Sequence, residues 1–160
     1  DVLIFAKSII IESGFEGRIQ AFASENITVD SAVTLKYPSV LLLAPTKAEP
    51  VHLSFSKGSI INGAMIYEPG LYGMQPHRNS RILLETGSEV NGQIFARHNL
   101  DIRGKVRGSV QAGNLLLQTP ASRYNNYILD ADLGPRDLQD DRIMPLLLPG
   151  QNYHLIHHLP

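Results

Sequence analysis

The chain contains no cysteine and no tryptophan, and neither sign of charge predominates. Without cysteine it can form neither a disulfide framework nor a thiolate metal site. Its 14 Lys+Arg and 15 Asp+Glu give a net charge of -1, which argues against nucleic-acid binding driven by a large positive charge. No apolar run reaches the roughly 18 residues of a membrane-spanning helix. These absences leave a single globular domain, for which 160 residues are enough to bury a core.

The strongest positive feature is internal repetition. Residues 53–67 align without a gap with residues 82–96 at an offset of 29. Identical pairs in this alignment are Gly58/Gly87, Ser59/Ser88, Asn62/Asn91 and Gly63/Gly92. A third copy begins near Ile9 at an offset of 73, and its continuation pairs Val33 with Val106 and Leu42-Leu43 with Leu115-Leu116. A repeated segment indicates a repeated structural unit.

Within each copy, apolar residues alternate with polar ones, and glycines bound segments of about 3–6 residues. This pattern predicts short strands with one wet face. We expect a single-stranded, right-handed parallel β-helix, in which Val90 stacks on Val106 and Ile94 on Val110. The alternative is an antiparallel β-sandwich with hairpin turns at Asn62-Gly63 and Asn91-Gly92. Both are all-β folds, and the pattern leaves both open.

The same pattern divides the chain into two parts. Residues 1–117 are predicted to form the solenoid, with proline-containing loop insertions at 44–50 and 69–81. Residues 118–160 lose the alternation and are predicted to form a C-terminal cap over the last coil. The chain starts at Asp1 rather than Met, so we expect a domain of a longer protein, with any membrane anchor lying upstream.

Two segments resemble the bactofilins, the polymer-forming cytoskeletal family of bacteria. They are Gly87-Ser88-Glu89-Val90-Asn91-Gly92-Gln93-Ile94 and Gly104-Lys105-Val106-Arg107-Gly108-Ser109-Val110. The resemblance covers residues 9–117 and is best over 82–117. It implies a right-handed β-helix that self-associates through its coil ends and uses no nucleotide or metal. The two insertions and the tail depart from the family pattern.

Candidate partner-binding residues fall in two places. The second insertion brings Tyr67, Tyr72, His77 and Arg78 into one region, and loops on a rigid scaffold are favoured binding sites. A basic strip of Arg97, Arg103, Lys105 and Arg107 lies on an outward side, where Arg103 and Arg107 are candidates to meet acidic polysaccharide or lipid.

Two further clusters of polar residues are interpreted as solvent-exposed surface without a binding role. The first cluster is predicted to be solvated or to form ion pairs that hold the tail; it contains Asp130, Asp132, Asp137, Asp140 and Asp141. The second is predicted to be surface histidines and contains His154, His157 and His158. No cofactor, metal or catalytic motif is predicted.

We therefore expect a non-catalytic scaffold or interaction module of the bacterial cell envelope or cytoskeleton. Its partner would be itself or another envelope or cytoskeletal protein. The alternative is a carbohydrate-binding or polysaccharide-cleaving domain, with its site at residues 130–141 or in the 69–81 loop.

Overall fold

The computed structural model describes residues 2–135, which form strands joined by turns and two longer loops. The prediction of an all-β chain with parallel strands is confirmed. Within these residues, no helix has the length and apolar character needed to cross a membrane. The strands are β1 Val2–Ile11, β2 Glu16–Gly17, β3 Ile19–Val29, β4 Thr34–Leu43, β5 His52–Phe55, β6 Ile60–Tyr67, β7 Arg81–Leu84, β8 Glu89–Ile102, β9 Lys105–Gln118, β10 Arg123–Asn125 and β11 Asp132–Gly134; a short 3₁₀ helix spans Pro69–Tyr72.

Parallel pairing places residues from six successive stretches of chain directly above one another. Three such columns of paired residues represent the three sides of the stack, and we call each column a ladder. In every ladder, a residue pairs with the equivalent residue of the next stretch of chain. The first ladder contains Ile4, Ala21, Leu41, Met65, Ile94 and Val110. The second contains Ile9, Ile27, Leu53, Ile82, Leu100 and Leu115. The third contains Gly17, Leu35, Ile61, Val90, Val106 and Leu133.

The hydrogen-bonded order closes into a ring of six strands, β3-β5-β7-β8-β6-β4, because β4 also pairs with β3. Long strands such as β8 take part in more than one ladder. The ladders point their apolar side chains inward, where they form one continuous core. The predicted stacks of Val90 on Val106 and Ile94 on Val110 are confirmed. The antiparallel sandwich is wrong, since Asn62-Gly63 and Asn91-Gly92 lie within parallel strands.

A column of glycines brings successive strands close together. Gly63, Gly92 and Gly108 lie directly above one another, and all have positive φ. A Cβ on Gly92 would come within 1.9 Å of the Gly63 carbonyl oxygen, and one on Gly108 equally close to the Gly92 oxygen. Only glycine fits such an approach of two backbones. The identity of Gly63 and Gly92 in the repeat therefore has a steric cause.

Buried serines satisfy backbone groups where the chain turns between ladders. The hydroxyl of Ser39 accepts a hydrogen bond from the Ile19 amide at 3.2 Å. Ser59 accepts from Val33 at 3.0 Å, and Ser80 accepts from Val51 at 3.0 Å. A buried N–H group has no water to bond to, and these hydroxyls supply the missing acceptor. They link each stretch of chain to the one before it.

The repeat at offset 29 corresponds to structural equivalence, whereas the continuation of the third copy does not. Leu53 pairs with Ile82 and Gly63 with Gly92, as the alignment at offset 29 requires. Leu42, however, pairs with Ile66, whereas Leu115 pairs with Leu100 in a different ladder. The expected match of Leu42 to Leu115 is therefore wrong. Register is lost because only residues 103–104 separate β8 from β9, whereas residues 85–88 separate β7 from β8, and because β4 contains a register shift between Leu35 and Ser39.

The two ends of the stack differ. β1 pairs with β3 along one edge, and its other edge pairs with no strand among the described residues. At the opposite end, β11 pairs with β9 at residues 105–107, and β10 pairs antiparallel with residues 116–118. The part of the predicted cap that is described, 118–135, thus covers both ends of the β9 edge.

Candidate interaction surfaces

The outward side chains of β1 are apolar. Leu3 is 60% exposed, Phe5 72% and Ile10 68%, whereas Ile9 and Ile11 on the inward side are buried. Large side chains this exposed, next to an unpaired strand edge, indicate a contact surface. We call this region, with Val2, Leu3, Phe5 and Ile10, the β1 end.

An outer apolar column continues from the β1 end along the wall. It is formed by Phe5, Phe22, Leu42, Ile66 and Phe95, which pair in successive strands. The rings of Phe5 and Phe22 stack, with centroids 4.7 Å apart and planes 14° apart. Leu42 and Ile66 are buried and pack with Leu71 of the second insertion. The insertion thus lies against the column at its centre, while Phe5 stays open to solvent.

The candidate binding residues at the second insertion do not share one surface in the structure. Tyr67 is fully buried at the end of β6, and burial raises the pKa of its phenol. Tyr72 is 61% exposed at the end of the 3₁₀ helix. His77 and Arg78 lie farther along the loop, where the His77 Nδ1 atom accepts a hydrogen bond from the Asn79 amide at 3.2 Å. A surface patch here can include Tyr72, His77 and Arg78 but not Tyr67.

Every member of the predicted basic strip is paired with a carboxylate. Arg103 donates to both oxygens of the buried Asp101, at 2.9 and 2.7 Å. Arg107 forms a similar pair with the exposed Asp132, at 2.9 and 2.6 Å. The other two pairs are Arg97 with Glu68 at 2.9 Å and Lys105 with Glu89 at 3.7 Å. The strip is therefore largely neutralised, and Arg107 instead joins β11 to β9.

The Arg107–Asp132 pair has a consequence for pH dependence. The hydrogen bond from Arg107 holds the pKa of Asp132 below its usual value. A carboxylate with a lowered pKa stabilises the fold above the pKa of the unfolded state, and this contribution is lost as the pH falls through the folded-state pKa. The pair therefore supports the attachment of β11 at neutral pH and not in strong acid.

We expect Arg107→Gln to raise the pKa of Asp132 toward the ordinary carboxyl range, as measured by NMR titration of its side-chain carbon. The matched control is Lys36→Gln. Lys36 lowers the pKa of Glu16 through a 2.5 Å ion pair, so this variant should raise the Glu16 pKa and leave that of Asp132 unchanged. Equal Asp132 titrations in the intact chain and in Arg107→Gln would contradict the pairing.

A second basic group lies beside the second insertion, and we call it the arginine corner: Arg78, Arg81 and Arg123. Arg123 donates to the Arg78 carbonyl at 3.0 Å. Arg81 donates to the Gln118 side chain, and Gln118 is the cross-strand partner of Arg123. Cross-strand partners present their side chains on the same face. The tail residues Gln118 and Arg123 thus contact the side chain of Arg81 and the backbone carbonyl of Arg78.

Two histidines flank the arginine corner. The pKa of His98 is lowered by burial and, to a smaller extent, by the charge of Arg123. That of His52 is lowered by burial and then by Arg81. Among the described residues, no carboxylate forms an ion pair with Arg78, Arg81 or Arg123. The corner keeps a net positive charge near neutral pH.

Sequence reasoning missed the buried carboxylates Glu68 and Asp101, the β1 end and two arginines of the corner. The weak alternation in β1 was a usable signal, because apolar residues occupy outward positions such as Leu3, Phe5 and Ile10 as well as inward ones. The histidines at 154, 157 and 158 and the acidic residues Asp137, Asp140 and Asp141 lie outside the described residues. Within residues 2–135, no group of three or more histidine or acidic residues is arranged to hold a metal ion.

Comparison of the chain with protein-family models, with curated proteins and with solved structures gave no match.

Proposed function

We propose that the chain is a non-catalytic scaffold that winds as a single-stranded, right-handed parallel β-helix and self-associates through its β1 end. The three parallel ladders support the winding, since each turn of chain adds one residue to each ladder. The resemblance to bactofilins leads to the same proposal. The β1 end is the observation that carries the self-association.

The open edge of β1 lies beside apolar side chains that a second copy would cover. A two-fold axis would bring Phe5 and Leu3 of both copies together, since a self-complementary contact buries the same patch twice. Lys7 lies at a bulge between Ala6 and Ser8, and both a charge and a bulge limit edge pairing. We therefore expect the apolar wall, more than a continuous strand ladder, to stabilise the contact.

The opposite end restricts the size of the assembly. Because β10 and β11 pair with β9 at its two extremities, a β1 edge cannot add along the whole of β9. Head-to-tail growth would produce an open filament, whereas a contact between two β1 ends closes after one step. We propose a pair of copies joined at their β1 ends, within a bacterial envelope or cytoskeletal assembly.

The test is the Phe5→Glu variant, with molar mass followed by light scattering over a range of concentrations. Burying a phenylalanine contributes about 2 kcal/mol, so the dissociation constant should increase at least about 30-fold. The matched control is Ile128→Glu, which adds the same charge at an exposed apolar residue in the tail. The proposal would be disproved if the unsubstituted chain were strictly monomeric, or if both substitutions raised the dissociation constant equally.

A further inference from the structure

We propose that the arginine corner binds an acidic polysaccharide, through the guanidinium groups of Arg81 and Arg123, with the exposed Arg78 next to them along the backbone. The site is separate from the β1 end and does not depend on self-association. It differs from the basic strip that the sequence suggested, in which every cation already has an acidic partner.

The arginines of this region differ in whether they form ion pairs. Between residues 78 and 123 there are six arginines. Arg97, Arg103 and Arg107 each pair with a carboxylate, whereas the three that lie together have no carboxylate partner within residues 2–135. Adjacent like charges repel each other, and this repulsion is relieved when an anion binds between them. The corner is thus a place where an external anion lowers the free energy of the folded chain.

A buried side chain also holds the backbone of the arginine corner in place. The Asn99 side chain donates to the Arg78 carbonyl at 2.8 Å and to that of Ser80 at 2.9 Å, and its own oxygen accepts from Asn114 at 3.0 Å. Asn99 is fully buried. It therefore fixes the backbone of the insertion relative to the strands that carry the rest of the corner. A site held by a buried side chain needs little ordering when its ligand arrives.

The chemistry favours a chain of acidic sugars. Guanidinium groups bind planar carboxylates and sulfates through paired hydrogen bonds. Duplex DNA, with one charge every 1.7 Å or so, is bound by proteins with many cationic contacts, and this chain has three in the corner and a net charge of -1. A polymer with one charge per sugar unit fits better.

The probes are oligogalacturonate, which carries carboxylates, and a heparin-derived oligosaccharide, which carries sulfates; they distinguish the two kinds of acidic sugar. Neutral dextran and a short DNA duplex serve as comparison ligands. We expect the intact chain to bind at least one acidic oligosaccharide in calorimetry at low salt, with a perturbed His98 imidazole resonance. Arg81→Gln/Arg123→Gln should weaken this binding at least tenfold, and Arg81→Lys/Arg123→Lys should weaken it less.

The matched control is Lys47→Gln/Lys57→Gln, which removes two exposed charges from other loops and should change the dissociation constant less than twofold. Arg123→Gln alone removes only a surface contact to a carbonyl and keeps the test valid if the double variant fails to fold. No binding of either acidic oligosaccharide would overturn the proposal. So would equal weakening by the lysine control, or tighter binding of the DNA duplex.

Discussion

Replacing Gly92 with alanine should destabilise the fold by at least about 3 kcal/mol. The new Cβ would lie 1.9 Å from the Gly63 carbonyl oxygen and 2.9 Å from its carbon. These are backbone atoms, so no side-chain rotation relieves the overlap. Separating the strands instead would break the parallel pairing of Gly63 with Gly92 and of its neighbours Asn62 and Asn91.

The measurement is urea unfolding followed by circular dichroism. Gly73→Ala is the matched control, because Gly73 also has positive φ but a Cβ there would meet no atom within 4 Å. It should cost only about 1 kcal/mol, the strain of a left-handed alanine. If the two variants lose similar stability, then conformational strain alone explains Gly92, and the close approach of the backbones does not matter.

Replacing Arg103 with glutamine should destabilise the fold by about 3 kcal/mol. Its partner Asp101 is 1% exposed, so the variant leaves a carboxylate without its cation in a place that water does not reach. The remaining hydrogen bond to Asp101 is from the Gln118 amide, at 3.4 Å. Arg103 also donates to the Gln118 carbonyl at 2.5 Å. The start of the tail should therefore loosen in the same variant.

Arg107→Gln is the matched control for this prediction. The same substitution at Arg107, in the strand that follows Arg103, removes a pair of similar geometry, but the partner Asp132 has a 59% exposed side chain, and water can replace the arginine. Its unfolding midpoint should move far less. The double variant Asp101→Asn/Arg103→Gln should recover much of the loss, because no unpaired charge remains. A single Arg103→Gln variant as stable as Arg107→Gln would show that Asp101 does not need its partner.

The alternation of apolar and polar residues was sufficient to predict strands, and the repeat at offset 29 correctly aligned β5 with β7 and β6 with β8. Both depend on local chemistry, since side chains alternate along a strand and equivalent positions of adjacent turns meet the same surroundings. The offset of 73 misled beyond residue 30, because the corner at residues 103–104 is shorter than the corner at residues 85–88 and because β4 contains extra residues between Leu35 and Ser39. A constant sequence offset matches equivalent positions only where the segments between them have the same length.

The candidate sites were harder to predict than the fold. Arg103 and Arg107 looked alike in sequence, but one meets a buried carboxylate and the other an exposed one from the tail. Arg81 and Arg123 are 42 positions apart in the sequence and come together only because the tail pairs back on β9. Tyr67 looked like part of a recognition loop, although its position in the alternation of β6 directs it into the core.

The sequence by itself determined that this chain forms strands around an apolar core, because the period of two and the placement of glycine are properties of neighbouring residues. The parallel arrangement of the strands was decided by the tertiary structure, since the pattern left an antiparallel sandwich open. Only the tertiary structure decided which charges are neutralised, which apolar faces stay uncovered and which end of the stack the tail closes. These features depend on contacts between residues far apart in the chain, and their energies change with burial. Arg103 forms an ion pair with a buried carboxylate and Arg107 with an exposed one, a difference that only the folded chain creates.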